Sequence, residues 1–398
     1  YLHRLGIGDL YLSPPFKARR GSTHGYDVVD PNQLDPELGG EVAFARLAQA
    51  LRAHEMGLLL DIVPNHMGIG ADNPWWWDVL KRGRDSRFAR FFDIDFERDP
   101  NGKLVLPVLG APLPEVLERG ELQLKDDPAT GEPLLCYFDE AFPFTLDGAL
   151  PHETPDARTL ARLVDAQPYR LVFWQEGTKR RNYRRFFNID QLAGLKVEDE
   201  EVFEESHKLI LDLVAKDLVQ GLRIDHIDGL TEPRAYLERL QRRIAEVRPE
   251  AAPFYVVVEK ILIGEEPLPE HWPVAGTTGY EFMNEALGLL VDPAGLERLE
   301  TVAAEITGEA IPYPELLRTA KRLVLERLFA GELGVLARRA SRLLKVEEGV
   351  ARAALEELLL AFPVYRTYAG DDGWHPADVA ILEGATSAAR ERADPSLG

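Results

Sequence analysis

Short apolar runs rich in β-branched residues recur along the sequence, and polar side chains follow most of them. Runs of this kind, separated by stretches with helical spacing, are typical of buried parallel strands in βα units. We predict a helix at Glu41–His54, with Val42, Ala45, Leu47, Ala48 and Leu51 on its apolar face. The predicted strands are Gly8–Leu12, Leu58–Val63, Gly221–Ile224, Phe254–Val258 and Pro363–Tyr365.

The side chains that follow these strands can take part in chemistry. They lie at Ser13-Pro14, Asp61 to His66, Asp225-His226 and Glu259-Lys260. In (β/α)₈ barrels the active site is built at the carboxyl ends of the strands, from several strands at once. The sequence therefore predicts an α/β fold with a (β/α)₈ TIM barrel. A doubly wound sheet stays open as an alternative, although no glycine-rich GxGxxG turn follows a strand.

Two long segments interrupt the strand and helix alternation. Residues 95–194 are rich in Pro, Asp and Gly, which predicts a loop-rich subdomain inserted after barrel strand 3. Residues 293–360 carry leucine and alanine at helical spacing, which predicts a helical insertion. Barrel strands 2–3 are then expected in residues 1–94, strands 4–6 in 195–292, and a return toward the barrel in 361–398. Because both ends are abrupt, we expect a barrel that is incomplete at each end.

Composition excludes several classes of function. The formal charge is −21, from 46 Lys and Arg against 67 Asp and Glu, so the chain should repel nucleic acid and anionic membrane surfaces. A neutral substrate fits this charge better. The single cysteine, Cys136, suits a reducing cytoplasm, although a secreted protein with few cysteines would look the same. No cluster of His and Cys has metal-ligand spacing, so we expect no metal site.

Two carboxylates at the ends of neighbouring predicted strands are the strongest chemical signal. In GLRIDH, Arg223 and Asp225 lie on the same side of the pleat, where the guanidinium can lower the carboxyl pKa and fix its orientation. In FYVVVEK, Glu259 ends an apolar run, and a desolvated carboxyl there suits a general acid. Structural Arg–Asp and Glu–Lys pairs remain the alternative for each motif taken alone.

Two further motifs supply polar and aromatic groups that suit a sugar. Asn65-His66 leaves the end of the second predicted strand with donors for sugar hydroxyls. In the loop GSTHGYD, Tyr26 can stack on a pyranose ring and Asp27 can accept hydrogen bonds from hydroxyls. An ordinary turn remains the alternative for this loop.

DIVPNH, GLRIDH and VVVEK resemble three ordered regions of the α-amylase superfamily of glycoside hydrolases. This resemblance implies that Asp225 is a nucleophile and Glu259 an acid/base in a retaining mechanism, with carboxyl groups about 5–5.5 Å apart. Longer stretches resemble the maltooligosyltrehalose synthase family in particular. They are SPPFKARRGSTHGYDVVDPNQLDPELGGE, NPWWWDVL, NYRRFFNIDQLAGLKVE, VAGTTGYEF and FPVYRTY.

The resemblance implies conversion of the reducing-end α-1,4 linkage of a maltooligosaccharide, or α-1,4-glucan, into an α,α-1,1 linkage. It implies no cofactor and a trehalohydrolase acting next in sequence. Arg223 is expected to keep Asp225 ionised. The family's third carboxylate follows FPVYRTY in an HD-containing region that is absent here, so we expect it beyond residue 398. The residues expected to bind the sugar are His66, Tyr26, Asp27 and His226.

Other functions fit the same residues. An α-glucan hydrolase or a 4-α-glucanotransferase would use the same two carboxylates, and its products would differ. A glucan-binding relative without activity is the alternative outside the enzymes, because one expected carboxylate is absent from this sequence.

Overall fold

A computed structural model describes residues 1–145, 155–370 and 373–392. Residues 146–154, within the predicted loop-rich insertion, lie outside the described residues, as do 371–372 and 393–398 in the predicted return toward the barrel. The chain forms two compact units. The first contains Tyr1–Glu259 and Glu270–Gly276, and the second contains Lys260–Pro269 and Thr277–Gly398.

The described residues contain the following strands and helices. The strands are β1 (Asp9–Leu12), β2 (Phe16–Ala18), β3 (Val28–Leu34), β4 (Gly57–Ile62), β5 (His66–Gly68), β6 (Leu104–Leu109), β7 (Leu122–Asp126), β8 (Pro133–Tyr137), β9 (Glu140–Pro143), β10 (Tyr169–Phe173), β11 (Arg185–Phe186), β12 (Ile189–Gly194), β13 (Gly221–Ile224), β14 (Tyr255–Val258) and β15 (Gly276–Thr277). The α-helices are α1 (Leu2–Leu5), α2 (Gly40–Ala53), α3 (Pro74–Arg82), α4 (Leu113–Glu118), α5 (Ala157–Asp165), α6 (Gly177–Arg180), α7 (Glu200–Ala215), α8 (Pro233–Val247), α9 (Tyr280–Gly288), α10 (Pro293–Thr307), α11 (Tyr313–Arg327), α12 (Ala330–Leu344), α13 (Glu348–Ala361) and α14 (Pro376–Arg392).

The central sheet of the first unit has its parallel strands in the order β1-β4-β13-β14. These four strands confirm four of the five predicted strands to within two residues. Strand β13 is buried along its whole length, as expected of a strand covered on both faces. The fifth prediction, Pro363–Tyr365, is wrong, because the chain has no regular structure there. Pro363 has no N–H to donate to a sheet, which disfavours a strand at this point.

Helix α2 packs against β3 and β4, but not through the whole predicted face. Phe44, Ala48 and Leu51 are its buried residues, whereas Val42 is 73% exposed and Ala45 is also exposed. The spacing of the buried residues is still helical, but the inward face lies on the Phe44 side. Because small alanines are common on both faces of a helix, the sequence did not separate these two orientations.

Residues 95–194 contain more regular structure than their composition predicts. Strands β6 and β10 form a parallel pair, β7, β8 and β9 form an antiparallel sheet, and β11 and β12 form a hairpin that pairs with β5. Their apolar side chains share one core with Trp75 and Trp76 of α3. The prediction of a loop-rich segment is corrected accordingly. The strands are too short to give a long periodic pattern, so the turns between them dominate the composition.

The second unit is mainly helical. Helix α13 packs against α11, α12 and α14, and buried side chains include Leu333, Ala337, Ala351 and Leu360. Glu357 of α13 accepts hydrogen bonds from Arg318 and Arg322 of α11. Within the described parts of the chain, no helix combines the length and apolar character that crossing a membrane requires.

Candidate active site

The carboxyl ends of β4, β13 and β14 bring three carboxylates together. Arg223 in β13 is in register with Asp61 in β4 on one side and with Val257 in β14 on the other. Asp225 follows β13 directly, and Glu259 follows β14 directly. Because parallel strands end at the same edge of a sheet, the three acidic residues surround the Arg223 side chain.

One guanidinium contacts all three carboxylates. Nη1 of Arg223 lies 3.0 Å from both carboxyl oxygens of Asp61 and 2.7 Å from Oδ1 of Asp225. Nη2 lies 3.3 Å from Oε1 of Glu259. Burial lowers the pKa of Arg223, but the charges of Asp61, Glu259 and Asp225 outweigh it and raise the pKa above its usual value. Arg223 is therefore the common anchor of the site.

The protonation of Asp225 differs from the prediction. The pKa of Asp225 is raised to about 7, mainly by burial and next by the negative charge of Glu259. Arg223 lowers the pKa of Asp225, as the sequence suggests, but its effect is smaller than these two together. The predicted effect of Arg223 is thus present, but the net pKa of Asp225 is raised rather than lowered. The negative charge of Glu259 therefore disfavours ionisation of Asp225.

Backbone hydrogen bonds fix the main chain at Asp225 and Glu259 and hold the carboxyl of Glu259. The N–H of Asp225 donates to the carbonyl of Ile62 at 2.9 Å, and the N–H of Glu259 donates to that of Ile224 at 2.8 Å. The N–H of His226 donates to Oε2 of Glu259 at 2.8 Å. His226 has φ 46° and ψ 51°, a left-handed conformation that residues with a side chain rarely adopt.

Asp61 is a site residue that the sequence analysis did not single out. It is fully buried and accepts hydrogen bonds from Arg223, from the Tyr26 hydroxyl at 2.7 Å and from the Tyr11 hydroxyl. Burial raises the pKa of Asp61, and Arg223 opposes this shift. A carboxylate inside the apolar run LLLDIV needs such partners, which is the signal that could have identified it.

Tyr26 and Asp27 have different surroundings, although they are adjacent. The Tyr26 ring lies 5.9 Å from the guanidinium carbon of Arg223, within the carboxylate cluster. Asp27 instead accepts a hydrogen bond from Ser22 at 2.5 Å and lies 3.9 Å from Nδ1 of His24 in its own loop. Gly25 allows this loop to pass close to β1, because a Cβ there would lie 2.4 Å from the carbonyl oxygen of Pro14.

His66 is fully buried beside the aromatic residues of the β11–β12 hairpin. Its ring stacks on Phe186 at 4.3 Å, and burial lowers the pKa of His66 to about 3. His66 therefore remains neutral at physiological pH. Its Nε2 atom is buried and has no hydrogen-bond partner among the residues that the structure describes. A buried polar atom without a partner is uncommon in folded proteins.

Arg184 is another residue that the sequence analysis missed. Its Nη1 donates to Oδ1 of Asn65 at 2.8 Å, and its Nη2 donates to the carbonyl of Leu195 at 2.7 Å. Nη1 also approaches the carbonyl of Gly229 at 3.4 Å, so Arg184 joins the hairpin to the loops after β4 and β13. Gly229 is required at that point, since a Cβ would lie 2.4 Å from Oδ1 of Asn65.

The arrangement has the groups needed for acid/base and nucleophilic chemistry on a neutral ligand. Asp225 and Glu259 are held by one cation, and neutral His66 and Tyr26 lie on the side of β4. Within residues 1–145, 155–370 and 373–392, no group of three or more His, Cys, Asp or Glu side chains could hold a metal ion.

Comparison with known proteins shows which proteins this chain resembles. The family described as alpha amylase, catalytic domain, matches residues 1–114. A putative maltooligosyl trehalose synthase from Mycobacterium tuberculosis is 38% identical over 97% of this chain and 48% of its own length. Over almost its whole length, the chain is similar to this synthase. The maltooligosyltrehalose synthase of Arthrobacter ramosus superposes with a TM-score of 0.83 and 39% identity, covering 98% of this chain and 48% of that one.

A second solved structure matches the chain to a similar extent. It is a hypothetical maltooligosyl trehalose synthase of Sulfolobus tokodaii, with a TM-score of 0.81 and 34% identity over 98% of this chain and 49% of its own. The chain thus spans about half the length of these members of the family. The α-amylase match and both structural matches assign the parallel sheet to the (β/α)₈-barrel fold.

Proposed function

We propose that the protein catalyses intramolecular transglycosylation of maltooligosaccharides, converting the reducing-end α-1,4 linkage into an α,α-1,1 linkage. The observation that carries this proposal is the pair Asp225 and Glu259, held by the two Nη atoms of Arg223 at the ends of adjacent strands. The printed names of the relatives in the family supply the substrate class and the product. The enzyme class is therefore an isomerase of the α-amylase superfamily.

The first step forms a covalent intermediate. A carboxylate oxygen of Asp225 attacks C1 of the penultimate glucosyl unit, and the bond from C1 to the bridging oxygen breaks. The electron pair stays with that oxygen, which takes the proton of Glu259. The reducing-end glucose is then free, and the remaining chain is a β-glycosyl ester of Asp225. Arg223 contacts both carboxyls and favours the ionised form of Asp225 that this step requires.

The second step forms the new linkage. Glu259, now ionised, takes the proton of the anomeric hydroxyl of the released glucose, and that oxygen attacks C1 of the ester. The bond from C1 to Asp225 breaks, and its electron pair returns to the carboxylate. Two inversions at C1 restore the α configuration. The glucose must turn within the site before this step, so that its anomeric hydroxyl replaces its 4-hydroxyl.

The remaining residues bind and orient the sugar in this proposal. His66 lies at the site with a buried Nε2 atom that a sugar hydroxyl would satisfy. Tyr26 presents an aromatic ring beside Arg223, and His226 borders Glu259 through its backbone. Asp27 binds its own loop rather than the carboxylate cluster, so its contact with a sugar is the least supported by geometry. Arg223 orients both reacting carboxyls.

Product analysis with maltopentaose and the full-length protein tests the proposal. A non-reducing product with a trehalosyl end, formed without an equal rise in reducing power, is expected. Rising reducing power would favour an α-glucan hydrolase, and longer and shorter α-1,4 chains would favour a 4-α-glucanotransferase. Binding without turnover would favour a glucan-binding relative. Any of these three results would contradict the proposed reaction.

The proposal also covers the next reaction, the cellular location and the arrangement of the barrel segments. The trehalosyl product has an α-1,4 bond that joins the trehalosyl unit to the rest of the chain, which a maltooligosyltrehalose trehalohydrolase would cleave to release trehalose. A cytoplasmic location fits the single cysteine, Cys136. We also propose that residues 1–94 and 195–292 supply barrel strands, with residues 95–194 and 293–360 inserted between strands and 361–398 returning toward the barrel.

A further inference from the structure

Phe187 has a strained backbone and lies beside the candidate active site. Its φ is 47°, in the left-handed region, which bulky residues other than glycine rarely occupy. The ring of Phe187 lies 5.2 Å from that of His226, whose φ of 46° falls in the same region. Strain of this kind persists only where the surrounding structure imposes it, and it clusters where proteins hold ligands.

The hairpin that carries Phe187 is fixed to the site on two sides. Strand β12 pairs with β5 in the register Gly194 to His66, and Phe186 packs against both His66 and His226. Phe187 contacts Phe186 edge to face at 4.4 Å and is still 45% exposed. Its ring therefore adds little to a core. It presents an apolar surface to whatever lies next to His226.

The contact with His226 places this surface beside both reacting carboxyls. The N–H of His226 holds Oε2 of Glu259, the carboxyl that donates a proton to the leaving oxygen in the proposed function. Because His226 also follows Asp225 directly in the chain, a ring that contacts His226 borders the place where the glycosyl ester forms and the glucose leaves. Aromatic rings in carbohydrate sites contact the apolar faces of sugars and displace water there.

We propose that Phe187 contacts the glucose released in the first step and favours its recapture over attack by water. This inference rests on the proposed function. The competing reactions differ only in the oxygen that attacks C1 of the Asp225 ester. With glucose, the anomeric hydroxyl attacks and loses its proton to Glu259, giving the trehalosyl product. With water, a water molecule attacks and loses its proton to Glu259, giving a shorter maltooligosaccharide and free glucose.

A matched control residue lies on another hairpin of the same unit. Phe138 follows β8 as Phe187 follows β11, with φ 50°, and it is 70% exposed. Its ring contacts the preceding Tyr137 at 4.7 Å, much as Phe187 contacts Phe186. Phe138 therefore shares the backbone strain and the exposure of Phe187 and belongs to the β7–β8–β9 sheet instead of the site.

The test compares Phe187→Asn with Phe138→Asn in the full-length protein. Asparagine tolerates the left-handed conformation, so both variants should fold and melt at or above the temperature of the unmodified protein. Incubation with maltopentaose gives the ratio of free glucose to trehalosyl product. We expect Phe187→Asn to raise this ratio about tenfold, which is the lower end of what one apolar contact contributes to discrimination. Phe138→Asn should leave it unchanged.

A conservative variant separates contact from folding. Phe187→Tyr keeps the ring and should hold the ratio within about twofold of the unmodified protein, even if kcat changes. An unchanged ratio in a folded Phe187→Asn variant, or an equal rise in both asparagine variants, would overturn the inference alone. Only reducing sugars from the unmodified protein would overturn the proposed function, and the inference with it.

Discussion

Replacing Asp61 by asparagine keeps the shape of the side chain and removes one buried negative charge. Asp61 accepts hydrogen bonds from Arg223, Tyr11 and Tyr26, and it is fully buried. Hydrogen bonds to a charged group contribute about 1 kcal/mol more each than neutral ones, so three donors correspond to about 3 kcal/mol. This agrees with the low end of the roughly 3–5 kcal/mol lost when a buried ion pair is broken. In the variant, Arg223 still contacts Asp225 and Glu259, so the expected loss of stability lies at the low end of this range.

The same substitution should change the protonation of the nucleophile. The charge of Asp61 contributes to the raised pKa of Asp225, so removing it lowers that pKa. Asp225 must be ionised to attack C1, and activity is lost as pH falls through its pKa. The acidic limb of the profile of kcat/KM against pH should therefore move to lower pH in Asp61→Asn.

The assays are urea unfolding at neutral pH and kcat/KM on maltopentaose between pH 4 and 8. Asp35→Asn is the matched control. Asp35 is also buried, but its two carboxyl oxygens accept hydrogen bonds from backbone N–H groups, one from Ala18 and one from Glu37, rather than from a charged guanidinium. Asparagine keeps one of these two acceptors, so this control should lose less stability than Asp61→Asn. An Asp61→Asn variant no less stable than Asp35→Asn, or an acidic limb that moves to higher pH, would refute the reasoning.

Three further predictions concern single groups. Asp225→Asn should abolish turnover and change maltopentaose binding, measured by calorimetry, only a few-fold, because the nucleophile acts mainly in the transition state; activity within tenfold of normal would exclude this role. The acidic limb of kcat/KM in the unmodified protein should lie near pH 7, following the pKa of Asp225, and a limb near pH 4 would contradict the assignment. Burial lowers the pKa of His207 to about 4, so the unfolded state binds more protons between about pH 6.5 and 4. The contribution of His207 to stability is therefore complete above about pH 6.5 and falls by about 2 kcal/mol between pH 7 and 5, so over that range urea unfolding should show His207→Gln losing about 2 kcal/mol less stability than the unmodified protein.

The parallel strands of the sheet could be read from the sequence because each contains a short apolar run, which is buried throughout β13 and over most of β4 and β14. Such a run, ended by a polar residue, marks both a strand and its carboxyl end. The position of Arg223 beside Asp225 follows from the alternation of side chains along one strand. The approach of Glu259 follows from the common edge at which parallel strands end.

The role of Asp61 could not be read in the same way. It depends on the register between β4 and β13, which pairs Asp61 with Arg223, and sequence patterns do not specify a register between strands 162 residues apart. The contacts of Phe186 with two histidines are a similar case. Phe186 reaches His66 and His226 only because β12 pairs with β5 across a long stretch of chain. The pKa of Asp225 depends on a balance among burial, Glu259 and Arg223, whose signs were known but whose sizes were not.

The charges around Arg223 suggest why this arrangement suits the proposed reaction. With Glu259 protonated, Asp61 and Asp225 carry two negative charges against one positive charge on Arg223. Asp61 pairs with Arg223 and neutralises much of its positive charge. Asp225 therefore keeps an excess of negative charge beside C1 of the bound sugar. A neutral sugar gains little from this excess, whereas an oxocarbenium-like transition state is stabilised by it. In Asp61→Asn, the whole charge of Arg223 would fall on Asp225. We therefore expect kcat to fall at high pH even as the acidic limb moves to lower pH, since the carboxylate that ionises more easily is also the weaker nucleophile.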